Sequence, residues 1–173
     1  MFKVHKNLNR IVNHKLFVRL TILTLLLVTF YFFRITVVVG ESMEPTLSNG
    51  QRGITLLNRF DLYNPSRNDL VLTRKSTYDN KILIKRVVGL PGETVTIKNN
   101  VVYINSVKLE EPYVTEDMVT VDLEVTLGED EVFILGDNRN NSIDSRFPNI
   151  GTVSLDEIVG KLIYDLEDFK LIY

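Results

Sequence analysis

The sequence contains no cysteine and no alanine, and its only two histidines are His5 and His14. Without cysteine there is no disulfide framework, no thiolate nucleophile and no cysteine-based metal site. Both histidines lie within a basic N-terminal stretch, so the rest of the chain has no Ser–His or Cys–His pair for nucleophilic catalysis. Any hydrolytic chemistry in the main part of the chain therefore needs a different base.

Charge is distributed unevenly along the 173 residues. Residues 1–34 contain six Lys or Arg and no acidic residue, whereas residues 35–173 contain fourteen basic and all 22 acidic residues, a net charge of −8. Domains that bind nucleic acid present a basic face. The acidic second part of the chain therefore argues against nucleic acid as a partner.

Residues 16–33 form a long apolar stretch, with fourteen consecutive uncharged residues after Arg19. About 20 apolar residues cross a bilayer core, and arginine is tolerated near the ends of such a segment. A cleavable secretory signal needs small residues after its apolar core, where this chain has Phe32, Phe33 and Arg34. A buried core helix is the other alternative, and the charged flanks disfavour it. We therefore predict an uncleaved anchor.

The basic residues give this anchor a direction. Five Lys or Arg lie at or before Arg19, and the positive-inside rule then places the N-terminus in the cytoplasm. The predicted organisation is a cytoplasmic basic tail at 1–15, a single transmembrane anchor at 16–33 and an extracytoplasmic domain at 34–173. The six residues between Phe33 and Gly40 span at most about 25 Å, which keeps the start of this domain close to the outer face of the cell membrane.

Short segments rich in β-branched residues follow the anchor and predict a mostly β domain. Turn formers separate them, including Asn99–Asn100 and Asn105–Ser106, and asparagine tolerates the positive φ of tight hairpins. The acidic, irregular stretch 110–131 is interpreted as an exposed excursion. The predicted strands are 35–39, 69–73, 81–88, 93–98, 101–104, 131–135 and 158–164.

Two residues at predicted strands are candidates for a catalytic pair. Ser42 follows the first strand and a glycine, where a serine is either an exposed nucleophile or an ordinary turn residue bonded to the backbone. Lys85 lies inside the strand 81–88, on an exposed face or buried. If it is buried, desolvation lowers its pKa, and a neutral amine is able to take the serine proton without any histidine.

The segment Gly136–Arg146 follows the strand 131–135 and is crowded with groups that can hydrogen bond to one another. It is either a surface loop of turn formers or a structured loop. In the second interpretation Asp144 and Arg146 form an ion pair that fixes the loop, and Ser142 orients the lysine amine.

These segments resemble the conserved boxes of type I signal peptidases. Ser42–Leu47 (SMEPTL), Lys85–Glu93 (KRVVGLPGE) and Gly136–Arg146 (GDNRNNSIDSR) are each similar to one box, and Arg67–Val71 (RNDLV) matches a fourth more weakly. They occur in the family's order after one N-terminal anchor. The resemblance covers roughly residues 16–164 and is closest to the compact, single-anchor Gram-positive form.

The resemblance implies a role for each matching residue. Ser42 is then the nucleophile, with its backbone N–H as an oxyanion donor, and Lys85 is the general base. Ser142 orients the lysine, and Asp144 and Arg146 support the site. No metal or other cofactor is expected. The implied fold is a mostly antiparallel β domain after one transmembrane helix.

The same resemblance implies removal of N-terminal signal peptides from exported preproteins at the membrane, with membrane lipid as a second partner. A link to the secretion translocon or to pilus assembly stays open. Three positions depart from the family pattern. Gly40 stands where some relatives have a serine that contributes to the oxyanion hole, Asn68 replaces a glycine, and Glu93 replaces an aspartate.

Three other functions are compatible with parts of this pattern. Self-cleaving SOS repressors share a Ser–Lys pair, but they cut an Ala-Gly or Cys-Gly bond, and this chain has neither alanine nor cysteine. A membrane-anchored assembly factor without catalysis would not need both Ser42 and Lys85. A peptidase dedicated to one class of secreted protein, such as pilins, has the same residues as a general one.

Overall fold

The computed structural model describes residues 2–59, 63–79 and 81–172, with side chains from residue 14 onward. The chain divides into two compact units, Met1–Phe33 and Arg34–Tyr173. The first contains one helix, α1 (Phe2–Phe32), which extends further toward the N-terminus than the predicted anchor. Within it, His14–Phe32 is long and apolar enough to cross a membrane.

The second unit is built from twelve strands in the described residues, and every segment predicted as a strand is one. The strands that sequence patterns missed are short or weakly alternating. The bounds are β1 (Phe33–Val37), β2 (Arg52–Leu57), β3 (Leu70–Arg74), β4 (Ile82–Gly89), β5 (Thr94–Lys98), β6 (Val101–Ile104), β7 (Val107–Lys108), β8 (Leu123–Thr126), β9 (Glu131–Leu135), β10 (Val153–Ser154), β11 (Ile158–Asp165) and β12 (Lys170–Leu171).

These strands form two sheets. The larger has the order β1-β2-β11-β3-β4-β9-β10 with β12 beside β11, and the smaller has the order β7-β6-β5-β8. Every pairing with a defined register among β2 to β12 is antiparallel. The prediction of a mostly antiparallel β fold after one apolar helix is confirmed.

Turn chemistry closes the hairpins of the smaller sheet. Asn99 and Asn100 have φ of 50° and 64° between β5 and β6, and Asn105 and Ser106 have φ of 48° and 67° between β6 and β7. Both pairs therefore adopt the left-handed backbone that tight hairpins require. The two predicted hairpin turns are confirmed.

The stretch 110–131 was predicted as an exposed excursion, and this is wrong for several of its residues. It contains β8, and Met118 is buried in the core with Val95, Val102 and Phe133. Glu111 and Tyr113 are half-buried rather than exposed. The acidic composition concealed these positions, although Glu111 and Tyr113 each contact an arginine, as described below.

Candidate active site

The turn that carries Ser42 is held by the core on both sides of the serine. Val38 ends the extended segment after β1, and Met43 and Leu47 follow the serine; all three are buried with Leu70 and Leu72 of β3. The Leu47 N–H donates to the Met43 carbonyl at 2.9 Å, which tightens the turn. Because Met43 and Leu47 take the inward positions, Ser42 is left half-exposed.

Lys85 lies in the middle of β4, opposite Val71 of β3, and only 3% of its surface is exposed. Its Nζ donates to Ser42 Oγ at 2.6 Å and to the Ile84 carbonyl at 2.9 Å. No carboxylate of the described residues forms a salt bridge with this amine. Of the two interpretations left open by the sequence, the buried one is correct.

Burial lowers the pKa of Lys85 from its ordinary value of 10.5 to about 8. Desolvation is the largest cause, because a charged ammonium loses hydration in the core. The carboxylates of Asp144 and Asp137 oppose this lowering, and the Arg146 guanidinium adds to it. About a tenth of the amine is therefore neutral at pH 7, and about half at pH 8.

The loop Gly136–Arg146 is a structured loop centred on the fully buried carboxylate of Asp144. Arg146 binds that carboxylate through Nε and Nη2, each at 2.8 Å, and the Gly136 N–H donates to it at 3.0 Å. Ser142 Oγ donates to Asp144 Oδ2 at 2.7 Å. The predicted Asp144–Arg146 ion pair is present, and it fixes the loop around Ser142.

The contact made by Ser142 differs from the predicted one. Its hydroxyl bonds to Asp144, and no hydrogen bond joins it to Lys85 in the part of the chain that the structure describes. A Cβ at Gly136 would clash with both Ser142 Oγ and the Ser42 carbonyl oxygen, so a glycine is needed for this close approach. The role of Ser142 in orienting Lys85 stays a prediction.

A second buried ion pair lies beside the first. Asp137 accepts from Arg86 Nε at 2.8 Å, from Arg86 Nη2 at 2.6 Å and from the Thr46 hydroxyl at 2.5 Å. Arg86 also donates to the Asn68 carbonyl at 3.0 Å, and its guanidinium stacks on the Tyr113 ring at 3.9 Å. This network connects β4, the Ser42 turn and the loop 136–146.

The excursion after β7 completes the support of that loop. Glu111 accepts from Arg139 Nη1 at 2.9 Å and Nη2 at 2.5 Å, and Arg139 Nε donates to the Gly136 carbonyl at 3.1 Å. Neither Glu111 nor Tyr113 was predicted to have a role. The sequence signal that could have identified them is the acidic residue Glu111 directly before Pro112 and Tyr113, in an otherwise irregular stretch.

Comparison with known proteins is consistent with this geometry. The sequence model of the family described as "Signal peptidase, peptidase S26" matches residues 11–165. The chain belongs to the signal peptidase family S26. It is 34% identical over 154 residues to signal peptidase I of Bacillus caldolyticus, covering 81% of this chain and 82% of that one. It is 36% identical over 154 residues to signal peptidase I T of Bacillus subtilis (strain 168), covering 82% and 77%.

A crystal structure of a signal peptidase I from Enterococcus faecalis V583 is similar in fold, with a TM-score of 0.50 and 34% identity. The match covers 58% of this chain and 97% of that one. Together these relatives assign the chain to the type I signal peptidases. Enzymes of this class are serine peptidases that remove signal peptides from exported preproteins.

Two departures from the signal peptidase boxes are explained by the structure. Asn68 has φ of 74°, a left-handed conformation that glycine adopts freely and asparagine tolerates better than other residues. Glu93, in place of aspartate, accepts from Arg67 Nη2 at 2.5 Å and from the Leu90 N–H at 2.8 Å. The longer side chain therefore still closes its own turn and reaches the neighbouring box.

An apolar cleft of about 410 Å³ ends at Ser42 and Lys85 in this signal peptidase. Its walls come from the chain of β1 and the residues after it, and from the start of β4. Val39 is 87% exposed and Ile82 is 49% exposed, so the cleft is open to a peptide. Within the residues described, no three acidic or imidazole side chains converge on a metal position.

Proposed function

We propose that this signal peptidase cleaves with Ser42 as nucleophile and Lys85 as general base. The observation that carries the proposal is the 2.6 Å contact between Lys85 Nζ and Ser42 Oγ, made by a buried lysine with a pKa of about 8. A general base is effective when it lies within hydrogen-bond reach of its proton and has a pKa near the working pH.

The reaction follows from that contact. In its neutral form, Lys85 accepts the Ser42 hydroxyl proton as Oγ attacks the carbonyl carbon at the end of the signal peptide. The Ser42 N–H donates to the oxygen that becomes negative. Collapse breaks the C–N bond, and the Lys85 ammonium gives its proton to the leaving amine of the mature protein. Lys85 then takes a proton from the water that attacks the acyl ester, and returns it to Ser42 Oγ as the ester C–O bond breaks, which frees Ser42 and restores the neutral lysine.

Three residues are proposed to support this pair without touching the reacting atoms. Asp144 and Arg146 hold the loop through their buried ion pair, with N–O distances of 2.8 Å. Ser142 donates to Asp144 at 2.7 Å, and its proposed role is to orient Lys85. Asp144 also opposes the larger lowering of the Lys85 pKa by desolvation, so this carboxylate reduces the neutral fraction of the base.

We propose that α1 anchors the enzyme, with a cytoplasmic tail at 1–15, a membrane span at 16–33 and the peptidase domain at 34–173 on the outer face. The apolar length of His14–Phe32 and the basic residues before it support this topology. Because the chain has no cysteine, single cysteines introduced at Asn9 and Val107 test it. A membrane-impermeant thiol reagent applied to intact cells should label only Val107→Cys; the reverse pattern contradicts the topology.

Cleavage of a preprotein by the purified full-length enzyme tests the catalytic pair. Ser42→Ala and Lys85→Ala should each lose roughly 10³-fold or more of kcat, since each removes one half of the nucleophile–base unit. Ser48→Ala and Lys81→Ala are matched controls, because both side chains are exposed and outside the pair. Activity in Ser42→Ala comparable to that in Ser48→Ala would contradict the proposal.

The pH dependence of kcat/KM tests the base independently. With a Lys85 pKa of about 8, the neutral fraction falls about tenfold per pH unit below that value. The rate should therefore rise with pH to a plateau above about 8. A rate that keeps rising to about pH 10 would show that the base has the ordinary lysine pKa, and would rule out a desolvated Lys85.

Two clienteles fit the same site. A general enzyme linked to the secretion translocon would process many preproteins in cells lacking other signal peptidases. An enzyme dedicated to pilus assembly would process pilins alone under the same conditions. We propose the general role, because the apolar cleft beside Ser42 is open and Lys85 is its one charged lining residue among those that the structure describes.

A further inference from the structure

Asn138 holds the two peptide groups on either side of the Ser42 α-carbon. Its backbone N–H donates to the Ser42 carbonyl at 3.1 Å, and its side-chain Nδ2 donates to the Glu41 carbonyl at 3.2 Å. One residue of the loop 136–146 therefore binds consecutive carbonyls of the Ser42 turn. Neither bond involves the Ser42 or Lys85 side chains.

The geometry of a trans peptide gives these bonds a consequence. The Glu41–Ser42 bond is trans, so its C=O and N–H groups point in opposite directions within one plane. The Glu41 carbonyl accepts from Asn138 Nδ2 at 3.2 Å and from the Glu44 N–H at 3.1 Å, so the Ser42 N–H must point away from both donors. That N–H has no hydrogen-bond acceptor among the residues that the structure describes.

The residues before Ser42 do not fix this plane by themselves. Gly40 has φ of 94°, and a Cβ there would meet nothing within 4 Å, so no packing restrains it. Its N–H is held by Asn49 Oδ1 at 3.0 Å, and Val39 is largely exposed. Asn141 Nδ2 bonds the Glu41 side chain at 3.2 Å, which does not hold the peptide itself.

We propose that Asn138 is a positioning residue that aims the Ser42 N–H at the developing oxyanion. The inference rests on the proposed role of Ser42 and adds to it the side chain that sets the direction of its N–H. Gly40 has no hydroxyl to supply a second donor, which makes the direction of the Ser42 N–H more important for the rate. A preorganised donor lowers the barrier only if it already points at the position of the oxyanion.

Asn138→Asp, compared with Asn140→Asp in the full-length enzyme, tests the proposal. Both changes remove one amide donor from the same loop and add one negative charge. Asn140 Nδ2 donates to the Asp117 carbonyl at 3.0 Å, away from the Ser42 turn. The pH-independent plateau of kcat is compared, since a new charge also shifts the Lys85 pKa.

Asn138→Asp should lower the plateau kcat by about 10- to 100-fold with KM nearly unchanged, somewhat less than full loss of an oxyanion donor. Asn140→Asp should stay within about threefold of the wild type. A peptide aldehyde forms a tetrahedral adduct on Ser42, and its affinity should fall in Asn138→Asp by the same factor as kcat. The matching peptide amide forms no adduct, and its affinity should not change.

Equal plateau values for the two variants, or a rise in KM alone, would overturn the proposal. Equal loss of the aldehyde and the amide would also overturn it, because Asn138 would then act on peptide binding. Asn138→Ala, which adds no charge, is assayed beside it and decides the result if the aspartate variant does not fold. Ser42→Ala separates the two claims: if it is active, the nucleophile assignment fails, whereas an inactive Ser42→Ala with unaffected Asn138 variants refutes the positioning role alone.

Discussion

Lys85 and Arg86 are consecutive cations in β4 with almost equal burial, 3% and 5% exposed, and they have opposite surroundings. Arg86 has a carboxylate at 2.6 and 2.8 Å, a carbonyl at 3.0 Å and an aromatic face at 3.9 Å. Lys85 has one hydroxyl and one carbonyl. The strand thus places a fully compensated charge next to one that is almost uncompensated.

The comparison shows how one buried strand serves both structure and chemistry. A buried charge that is paired and hydrogen bonded keeps its charge, whereas one without a counter-ion becomes easier to neutralise. Asp137 and Asp144 are the carboxylates that raise the Lys85 pKa most. Each is already bound by an arginine, Arg86 or Arg146. The arginines therefore keep both aspartates from forming an ion pair with Lys85 that would hold it protonated.

Removing the carboxylate that pairs with Arg86 should have the largest effect on stability. Asp137→Asn leaves the Arg86 charge buried without its carboxylate, and removal of one partner of a buried pair costs about 3–5 kcal/mol. The thermal unfolding midpoint of the full-length enzyme in detergent, measured beside the wild type, checks this loss.

The control for that variant is Asp168→Asn. Asp168 also binds a cation, Lys170 Nζ at 2.6 Å, but the side chains of this pair are 59% and 57% exposed. Exposed pairs contribute about 0–1 kcal/mol, so this change should barely move the midpoint. Similar losses in the two variants would mean that Asp137 is not what compensates Arg86.

The longer strands and the candidate pair Ser42 and Lys85 were predictable from the sequence, because both follow from local patterns. β-branched runs bounded by turn formers were sufficient for β3, β4, β5, β6 and β9. The boxes were sufficient to select Ser42 and Lys85. Arg86 was grouped with the box without a role, since its partner Asp137 is 51 residues away.

What the sequence could not supply are contacts set by tertiary structure. Whether Lys85 is buried depends on the turn that covers it, and β-strand alternation alone leaves both faces open. Glu111 and Tyr113 lie in an acidic, irregular stretch, and only the folded chain brings them to Arg139 and Arg86. Ser142 was expected at Lys85 and bonds Asp144, a difference of one hydrogen bond that no spacing rule resolves.

Replacing Lys85, which has no carboxylate partner, should have a smaller effect on stability, and of opposite sign. Lys85→Met removes a buried charge, so it should stabilise the protein at pH 7 while abolishing activity. The folded-state pKa of about 8 lies below the ordinary 10.5. At about 1.4 kcal/mol per pKa unit this sets an upper bound of about 3–4 kcal/mol. The thermal midpoints of wild type and variant, compared at pH 7 and pH 10, measure the gain.

The sign of the pH dependence distinguishes this cause from better packing. Below about pH 8 the lysine is protonated in both the folded and the unfolded wild type, so the full cost of burying the charged ammonium is present. Between about 8 and 10.5 the folded state releases the proton and the unfolded state keeps it, so the wild type gains stability as pH rises. The advantage of Lys85→Met should therefore shrink over this window. Lys75→Met is the opposite control, because Lys75 binds Glu157 at 2.7 Å and its loss should destabilise. An advantage that does not change with pH would show that desolvation of Lys85 is not its source.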